Sequence, residues 1–480
     1  MLFRSDRSGG LWIGTSGQGL WYSRDPQTTG DLQVETVTTL TGLSNDIVNS
    51  LIEDRDGNIW VGTADGLNRL RRHPFTSITN FGAVTGLEAS PDGSVWASTP
   101  VGIVRFTDSG QSTRQDILIR DVQPRAMHMD RQGSLWLATD DGVRRYDPRG
   151  GGVAATLVTD TLRRVRSISS TAQGDVWFYD LDRGLGHWHE GTLDIVALPT
   201  RFEHALICSI LADGSGRTWI GLRQEIALVR FADGTFGTYG AGDGYTPGTC
   251  NALAADHNGN IWTLGLHGLS RFADGHFMTL RRPGEVPLES LQGMVEDNSG
   301  AIWLSSWSGI TRMQPDDMTQ AFDGHWDRVR ATIYDGSNGV SGKAARNARS
   351  AVRATDGRLW FLTSRGVTIV DPNVIREAPS TTPVHIDVVT VDDQRLGMPA
   401  QLKPRSRRVE VDYSLATLTP GPRPRFRYRL DGALARADQR SAPRSWTLIQ
   451  PDWWVDTSTV ARRRALVPAQ REVWLRHRRT

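Results

Sequence analysis

Apolar residues recur along the first 370 residues in short runs of strand length, separated by polar turns rich in glycine and aspartate. The stretch from Gly42 to Phe81 shows this pattern most clearly. Its apolar runs flank an Asp54–Gly57 turn and an Asp65-Gly66 hairpin signal, which is typical of short antiparallel strands. The sequence predicts four strands here, over 47–52, 59–63, 67–70 and 75–81.

Nine tryptophans set the register of a repeat: Trp12, Trp60, Trp96, Trp136, Trp177, Trp219, Trp262, Trp303 and Trp360. Glycine lies three residues before each of them, and aspartate lies six residues before six of them, at Asp6, Asp54, Asp130, Asp213, Asp256 and Asp297. A repeat of about forty residues with strand content is typical of a four-stranded propeller blade. The predicted fold class is therefore all-β, a β-propeller of four-stranded blades with nine blade motifs in total.

Composition supports many short strands and excludes several classes of function. The 17 Trp and 50 Gly supply buried area and tight turns. A formal charge of +2 predicts no nucleic-acid partner, and no apolar run is long enough to be a membrane segment. The N-terminus leads straight into a blade motif and is no signal peptide. Nucleotide-binding, kinase and serine-hydrolase motifs are missing from the sequence, so no cofactor is expected.

The segment GLSNDIVNSLIEDRDGNIWVGTADGLNRL, residues 42–70, resembles the two-component regulator propeller repeat. By repeat counting the resemblance covers residues 6–372. It implies the periplasmic sensor region of a bacterial receptor whose output is a histidine kinase, a hybrid two-component protein or a diguanylate cyclase. This chain contains no such catalytic domain, so the resemblance implies a non-catalytic fragment without the transmembrane and output domains.

The repeat count divides the chain into predicted domains. Such receptors commonly carry two rings of seven blades, so we expect 1–80 to be two blades of a preceding propeller and 81–375 to be a seven-bladed ring. Residues 376–432 resemble part of the Ig-like triple-tyrosine domain that follows the propellers in this family, through which a homodimer would form. Residues 433–480 are rich in arginine, and we expect either a change of reading frame near Ala433 or a basic disordered tail.

The candidate site lies on one face of the ring, which we name the loop face. It consists of the loops that lead into the first strand of each blade and the hairpins between the second and third strands. Polar or aromatic residues that break the repeat there predict a small-molecule or oligosaccharide ligand. These candidates are Arg125, Arg163, Tyr179, His204, Arg223, Glu225, Asn251, His267, Trp307, Lys343, Arg346 and Arg365. The alternative for each one is surface charge that serves only solubility.

A propeller enzyme that uses the same loop face is the competing hypothesis, because fold does not settle function. Lyase chemistry would need a histidine and a glutamate, such as His204 with Glu225 or Glu289. Sialidase chemistry would need arginines with a tyrosine, such as Arg163, Arg223 and Tyr179. Both hypotheses need assumptions that the sensor hypothesis does not.

Two further residue pairs carry weaker signals. His187 and His189 point the same way along a strand, but no third ligand is evident, so no metal site is predicted. Cys208 lies five residues before Asp213, whereas Cys250 lies six before Asp256. This opposite phase predicts buried free thiols and no disulfide.

Overall fold

The computed structural model describes two compact units, Met1–Arg72 with Arg376–Thr480, and His73–Ile375. The residues that it describes are 1–7, 9–23, 26, 34–54, 57–70, 74–108, 113–149, 155–202, 205–223, 228–280, 288–326, 329–345, 349–375, 384–391, 394–396, 409–415, 427–431, 445–448, 454–455 and 472–476. Antiparallel sheets dominate both units, which confirms the all-β fold class.

The first unit begins with two sheets built from the first two repeats. The first sheet has four strands in chain order: β1 (Leu2–Ser5), β2 (Leu11–Gly14), β3 (Leu20–Ser23) and β4 (Glu35–Val37). The second sheet has three strands: β5 (Val48–Glu53), β6 (Ile59–Thr63) and β7 (Gly66–Leu70). A 3₁₀ turn at Thr39–Thr41 separates the two sheets.

Seven four-stranded sheets form the second unit, His73–Ile375. The strands of the first three are β9 (Gly86–Ala89), β10 (Val95–Thr99), β11 (Gly102–Asp108) and β12 (Thr113–Arg120); β13 (Ala126–Met129), β14 (Leu135–Thr139), β15 (Gly142–Tyr146) and β16 (Thr156–Thr159); and β17 (Val165–Ser170), β18 (Val176–Asp180), β19 (Gly184–His189) and β20 (Thr192–Val196). Those of the next two are β21 (Ile207–Ala212), β22 (Thr218–Leu222), β23 (Leu228–Ala232) and β24 (Thr235–Tyr239); and β25 (Cys250–Ala255), β26 (Ile261–Gly265), β27 (Leu269–Ala273) and β28 (His276–Leu280).

The sixth sheet contains β29 (Gly293–Glu296), β30 (Ile302–Ser306), β31 (Gly309–Met313) and β32 (Thr332–Tyr334), with helix α1 (Pro315–Phe322) before its last strand. The seventh contains β33 (Ala351–Arg353), β34 (Leu359–Thr363) and β35 (Gly366–Val370) together with β8 (Phe75–Ile78). Short 3₁₀ turns occur at Thr200–Phe202, Ala241–Asp243, Gly336–Asn338 and Pro372–Val374.

The outer strand of the seventh sheet comes from the other end of the unit. β8 pairs antiparallel with β35, with Phe75 opposite Val370 and Ile78 opposite Val367. The prediction that residues 75–81 complete the second repeat is therefore wrong for this strand. Phe75 is buried against Trp303 and Tyr334, so the apolar core of the second unit holds it there.

The innermost strands form a closed circle. β9, β13, β17, β21, β25, β29 and β33 contact one another in that order, and β33 contacts β9 in turn. Side-chain packing closes the circle as well, since Trp360 of the seventh sheet lies 5.4 Å from Phe106 of the first, centroid to centroid. The second unit is thus a β-propeller whose innermost strands surround a central channel.

One turn recurs in the sheets and explains the repeated aspartate. Asp297 Oδ1 accepts the backbone N–H of Ala301, and its Oδ2 accepts Trp303 Nε1–H at 2.8 Å. Gly300 lies in this turn at φ 82°, which a residue with a side chain rarely adopts. The same indole-to-carboxylate bond occurs at the other five aspartates, Asp6, Asp54, Asp130, Asp213 and Asp256.

The C-terminal part of the first unit contains further short strands. One sheet joins β36 (Val384–Val391), β37 (Gln394–Leu396), β38 (Val409–Leu415) and β40 (Ser445–Leu448), and another joins β39 (Arg427–Asp431), β41 (Trp454–Val455) and β42 (Glu472–Arg476). β40, β41 and β42 lie in the segment for which the sequence predicts no strand, because its alternation is weak. The Ig-like identity of this region remains a prediction. No helix in the described part of the chain is long and apolar enough to cross a bilayer.

Candidate functional site

The structure brings three of the predicted loop-face residues together at the junction of the sixth and seventh sheets. Ala344 N–H donates to Ser306 O at 3.4 Å, and Ser364 N–H donates to Lys343 O at 2.8 Å. These backbone bonds place Trp307, Lys343 and Arg365 on adjoining loops. Trp307 is 45% exposed, and both cationic residues are exposed. We name these three residues the Trp307 patch.

Other predicted residues are exposed but contact residues outside the candidate set. Arg125 pairs with Asp140 at 2.6 Å, and Arg163 Nε donates to the backbone oxygen of Asp160. Arg223 and His267 are exposed as well, and their backbone N–H groups donate to Leu206 O and Pro247 O respectively. Asn251 is half-buried, and its amide donates to Leu291 O at 2.9 Å. His204, Glu225 and Arg346 lie outside the described residues.

Tyr179 is not the exposed aromatic platform that the sequence predicts. It is 1% exposed and packs in the apolar core between the third and fourth sheets. Its hydroxyl donates to Ala205 O at 3.0 Å, and burial raises the pKa of the phenol above its usual value. Six of the nine repeats have a small residue two positions after the tryptophan, as at Gly62 and Gly221, so the larger Tyr179 serves packing rather than ligand contact.

The cysteine prediction is wrong, because Cys208 and Cys250 form a disulfide between β21 and β25, with their Cα atoms 6.0 Å apart. Each strand contains a β-bulge at this end, between Ile207 and Ser209 and between Cys250 and Ala252. Asn251 is the extra residue of the second bulge, so side chains on the two sides of it no longer alternate regularly, and Cys250 points to the opposite face from the one that its distance to Asp256 predicts. Both sulfurs therefore point the same way, over Gly221, where a Cβ would come within 2.6 Å of Cys250 Sγ.

His187 serves as a stacking partner of the repeat tryptophan. Its ring lies parallel to that of Trp177, with centroids 4.0 Å apart and an interplanar angle of 7°. His189 bonds to Asp194 at 2.8 Å. The described residues contain no group of three or more potential ligands that would hold a metal ion.

A polar cluster that the sequence analysis missed lies among the innermost strands. Glu88 of β9 and His128 of β13 are 2% and 4% exposed, and each lies opposite the repeat tryptophan of its own sheet. Arg349, just before β33, donates from Nη1 to Glu88 Oε2 at 2.7 Å and to His128 Nδ1 at 3.1 Å. His128 Nε2 lies 2.8 Å from Ser170 Oγ. We name these four residues the channel cluster.

Hydrogen bonding fixes the protonation of this cluster. A guanidinium can only donate, so His128 Nδ1 is the acceptor and Nε2 carries the proton that Ser170 Oγ accepts. Burial and the charge of Arg349 lower the pKa of His128, which is therefore neutral at pH 7. Burial raises the pKa of Glu88, but the charge of Arg349, together with the backbone N–H of Met129, leaves the pKa below its usual value.

A hydrolase-like nucleophile is disfavoured by this arrangement. Ser170, His128 and Glu88 follow the order of a serine triad, but His128 Nδ1 lies 3.6 Å from Glu88 Oε2, which is too long for a hydrogen bond. Nε2 already carries a proton, so His128 cannot accept one from Ser170 in this state.

The sequence did contain a signal for the channel cluster. The residue eight positions before the repeat tryptophan is Leu211, Ala254, Val295 or Val352 in the last four sheets of the ring, but Glu88 and His128 in the first two; in the third it is Ser169, the neighbour of Ser170. Aligning the innermost strands, rather than the hairpins, would have shown this break. Buried Glu and His residues in such positions are uncommon without partners.

Comparisons with known proteins support the fold and the repeat. The family described as "Two component regulator propeller" matches residues 42–65. This chain carries a two-component regulator propeller repeat. The matched segment includes β5, β6 and the Asp54 turn, so the regulator propeller repeat and the observed strands coincide. No significant match was found among curated proteins.

One solved structure shows the same fold. The chain matches a structure described as the extracellular domain of the hybrid two-component system BT3049 from B. thetaiotaomicron, with a TM-score of 0.71 and 18% identity, over 95% of this chain and 64% of that one. A second extracellular domain from the same organism, that of BT4673, matches at a TM-score of 0.49 and 17% identity, over 93% of this chain and 64% of that one. A virginiamycin B lyase from Staphylococcus aureus matches at 0.48 and 16%, over 62% of this chain and 98% of the lyase. The chain thus spans about 64% of the length of the two extracellular domains.

Proposed function

We propose that this chain is the ligand-sensing region of a bacterial two-component receptor, located outside the cytoplasm, and that it binds its ligand without transforming it. The observation that carries the proposal is the Trp307 patch. An exposed indole beside two exposed cations forms a surface that binds a polar ligand through stacking and charge. The regulator propeller repeat at 42–65 supports the receptor assignment.

The geometry of the patch favours binding over solubility alone. A soluble surface needs charge, but it has no need of a large indole held at 45% exposure. Backbone hydrogen bonds from Ala344 to Ser306 and from Ser364 to Lys343 hold the backbone of the three loops together. A surface that is organised before the ligand arrives loses less entropy on binding.

The disulfide supports a location outside the cytoplasm. Disulfides persist in the periplasm and in secreted proteins, whereas cytosolic thiols are kept reduced. Cys208 and Cys250 join the innermost strands of two neighbouring sheets, where the bond is buried. A structural disulfide of this kind fits a protein that folds in an oxidising compartment.

Signalling would require that the ligand bind one of two states more tightly than the other. In the proposed mechanism the ligand selects one packing of the loops around the Trp307 patch. The region after residue 376, which we propose to be Ig-like, passes the change to a partner copy of the chain. The ligand class is a small molecule or an oligosaccharide.

No observation on the described residues favours a propeller enzyme. The buried histidine near a serine carries its proton on the wrong nitrogen to act as a base. The pair His204 and Glu225 lies outside the described residues. Of the residues that sialidase chemistry would need, Tyr179 is buried in the core. We therefore propose binding as the function.

Thermal unfolding of the whole chain with a panel of neutral and acidic oligosaccharides tests the proposal. A ligand that binds only the folded state must raise the melting temperature. We expect at least one compound to do so in the wild type and not in Trp307→Ala, while the exposed Phe3→Ala variant serves as the control and keeps the response. If no compound shifts the melting temperature, or if Trp307→Ala keeps the full shift, the Trp307 patch is not the sensing site.

A further inference from the structure

We propose that the channel cluster is a second ligand-contacting site, which takes a small organic anion of about monosaccharide size that carries a carboxylate and, several atoms away from it, a hydroxyl group. The inference rests on the proposed sensing function and adds a ligand class and a position to it. The carboxylate would pair with the Arg349 guanidinium, and the hydroxyl would accept a proton from Ser170. Four residues from four neighbouring sheets contribute to the site: Arg349, Glu88, His128 and Ser170.

Arg349 would bind the ligand carboxylate, because among the described residues only its Nη1 takes part in side-chain hydrogen bonds. A guanidinium carries five N–H donors in a flat fork that matches a carboxylate. Both bonds to Glu88 and His128 leave from Nη1, and 39% of the Arg349 side chain is exposed. In the proposed site the remaining N–H groups of this partly exposed side chain bind the ligand carboxylate through two parallel bonds.

Glu88 holds Arg349 in place. Its carboxylate is buried and lies 2.7 Å from Arg349 Nη1, so it restricts the guanidinium to one position before a ligand arrives. The backbone N–H of Met129 also donates a hydrogen bond to this carboxylate and stabilises its charged form. A site whose side chains are fixed by second contacts loses less entropy when it binds.

Ser170 supplies the second donor. Because Ser170 Oγ accepts the proton of His128 Nε2, its own hydroxyl proton is directed elsewhere. Ser170 is half-buried at the end of β17, and in the proposed site this proton is donated to the ligand hydroxyl. Arg349 and Ser170 flank opposite nitrogens of one imidazole ring, a separation that a hydroxy acid of about monosaccharide size spans.

The charge balance favours an anion over a neutral sugar or a cation. Glu88 and Arg349 offset one another, and His128 is neutral, so the cluster itself carries no net charge. Lys343 of the same loop as Arg349, and Arg365 beside it, add positive charge at the loop face. An anion that approaches the channel from this side is attracted before it meets the cluster.

Isothermal titration of the whole chain with D-glucuronate, and with D-glucose as the matched neutral sugar, tests the inference. We expect saturable binding of glucuronate and at least tenfold weaker binding of glucose, about the factor that a charged hydrogen bond supplies. Ser170→Ala should weaken glucuronate binding about fivefold, as for loss of a neutral hydrogen bond. The double variant Glu88→Gln/Arg349→Gln removes both charges of the buried pair together, so the fold retains a neutral pair, and it should abolish measurable binding.

Arg163→Gln is the matched control, since Arg163 is an exposed arginine that bonds only to its neighbour Asp160 among the described residues. It should bind glucuronate as the wild type does. Equal binding of glucose and glucuronate, no binding of glucuronate, or wild-type affinity in the double variant would overturn the inference. Binding that survives the double variant but is lost in Trp307→Ala would place the ligand at the Trp307 patch and leave the proposed sensing function standing.

Discussion

At the residue scale, the indole-to-carboxylate bond explains why the repeat keeps both its tryptophan and its aspartate. Asp297 is 3% exposed and accepts four hydrogen bonds, from the N–H and hydroxyl of Ser299, from Ala301 N–H and from Trp303 Nε1–H. Arg312 lies over the Trp303 ring at 5.3 Å. The aspartate thus connects the turn to the core of its sheet.

Asp297→Asn should lower the free energy of unfolding by about 2 kcal/mol at pH 7, since bonds to a charged acceptor are stronger than neutral ones. Burial raises the pKa of Asp297, but bonds from Ser299, Trp303 and Ala301 outweigh it, so the folded-state pKa lies below the usual 3.8. The stabilisation is therefore present above that value and is lost as the pH falls through the folded-state pKa. Denaturant unfolding from pH 7 to pH 2 checks this, and the variant should show a flatter loss below pH 3.8.

Asp356→Asn is the matched control for this prediction. Asp356 lies in the corresponding turn of the seventh sheet, is 41% exposed and pairs only with Arg358 among the described residues. Its replacement should change the free energy of unfolding by less than about 1 kcal/mol. Equal effects of the two substitutions would show that the buried tryptophan contact contributes nothing beyond the turn.

Predictions from sequence were least reliable for individual residues. Trp360 has alanine, Ala354, at the aspartate position, and its Nε1 has no hydrogen-bond partner in the described part of the chain. Tyr179 differs from the corresponding residues of the other repeats, but its side chain packs in the core. A single sequence shows that a position departs from its repeat, but not whether the new side chain points inwards or outwards.

At the element scale, β-bulges limit what alternation can predict. The strands β21 and β25 were recognisable from their apolar content, but their bulges were not, because a bulge leaves no mark in the spacing of the repeat. A one-residue shift reverses every side chain beyond it. This shift is the reason that Cys208 and Cys250 meet.

Removing the disulfide should destabilise the ring. Cys208 and Cys250 are 42 residues apart, for which the loss of chain entropy predicts about 4 kcal/mol. Cys208→Ala/Cys250→Ala should therefore unfold at a lower denaturant concentration than the oxidised wild type, and a reductant should affect the wild type alone. Alkylation of both thiols in the unreduced, unfolded wild type would contradict the disulfide.

The strand β8 shows that membership of a sheet is decided by tertiary contacts. Its apolar content predicts a strand correctly, but nothing in the local sequence distinguishes pairing with β7 from pairing with β35. The partner is fixed by the pocket for Phe75, whose ring lies 5.0 Å from that of Tyr334.

Phe75→Ala should lower the free energy of unfolding of the ring by about 3–5 kcal/mol, as for other buried phenylalanines. Phe75 is 4% exposed, whereas Phe3 of β1 is 64% exposed, so Phe3→Ala is the control and should have no such effect. Differential scanning calorimetry of the full chain measures both variants. An unchanged transition for Phe75→Ala would mean that β8 does not close the seventh sheet.

At the scale of the whole molecule, the repeat determines most of the fold. The spacing of tryptophan, glycine and aspartate predicted four-stranded sheets, and the structure has them from β9 to β35. The site was predictable only in part. The Trp307 patch follows from residues that break the repeat on hairpins, whereas the channel cluster depends on which strands become neighbours around the ring.

The account depends most directly on the claim that the ring binds a ligand without altering it. Isothermal titration of the full chain with the compound that shifts its melting temperature, followed by mass spectrometry of the recovered compound, measures both properties together. We predict saturable binding and recovery of the unchanged compound after prolonged incubation. A recovered product, formed at a rate proportional to the protein concentration, would contradict the account and identify the ring as an enzyme.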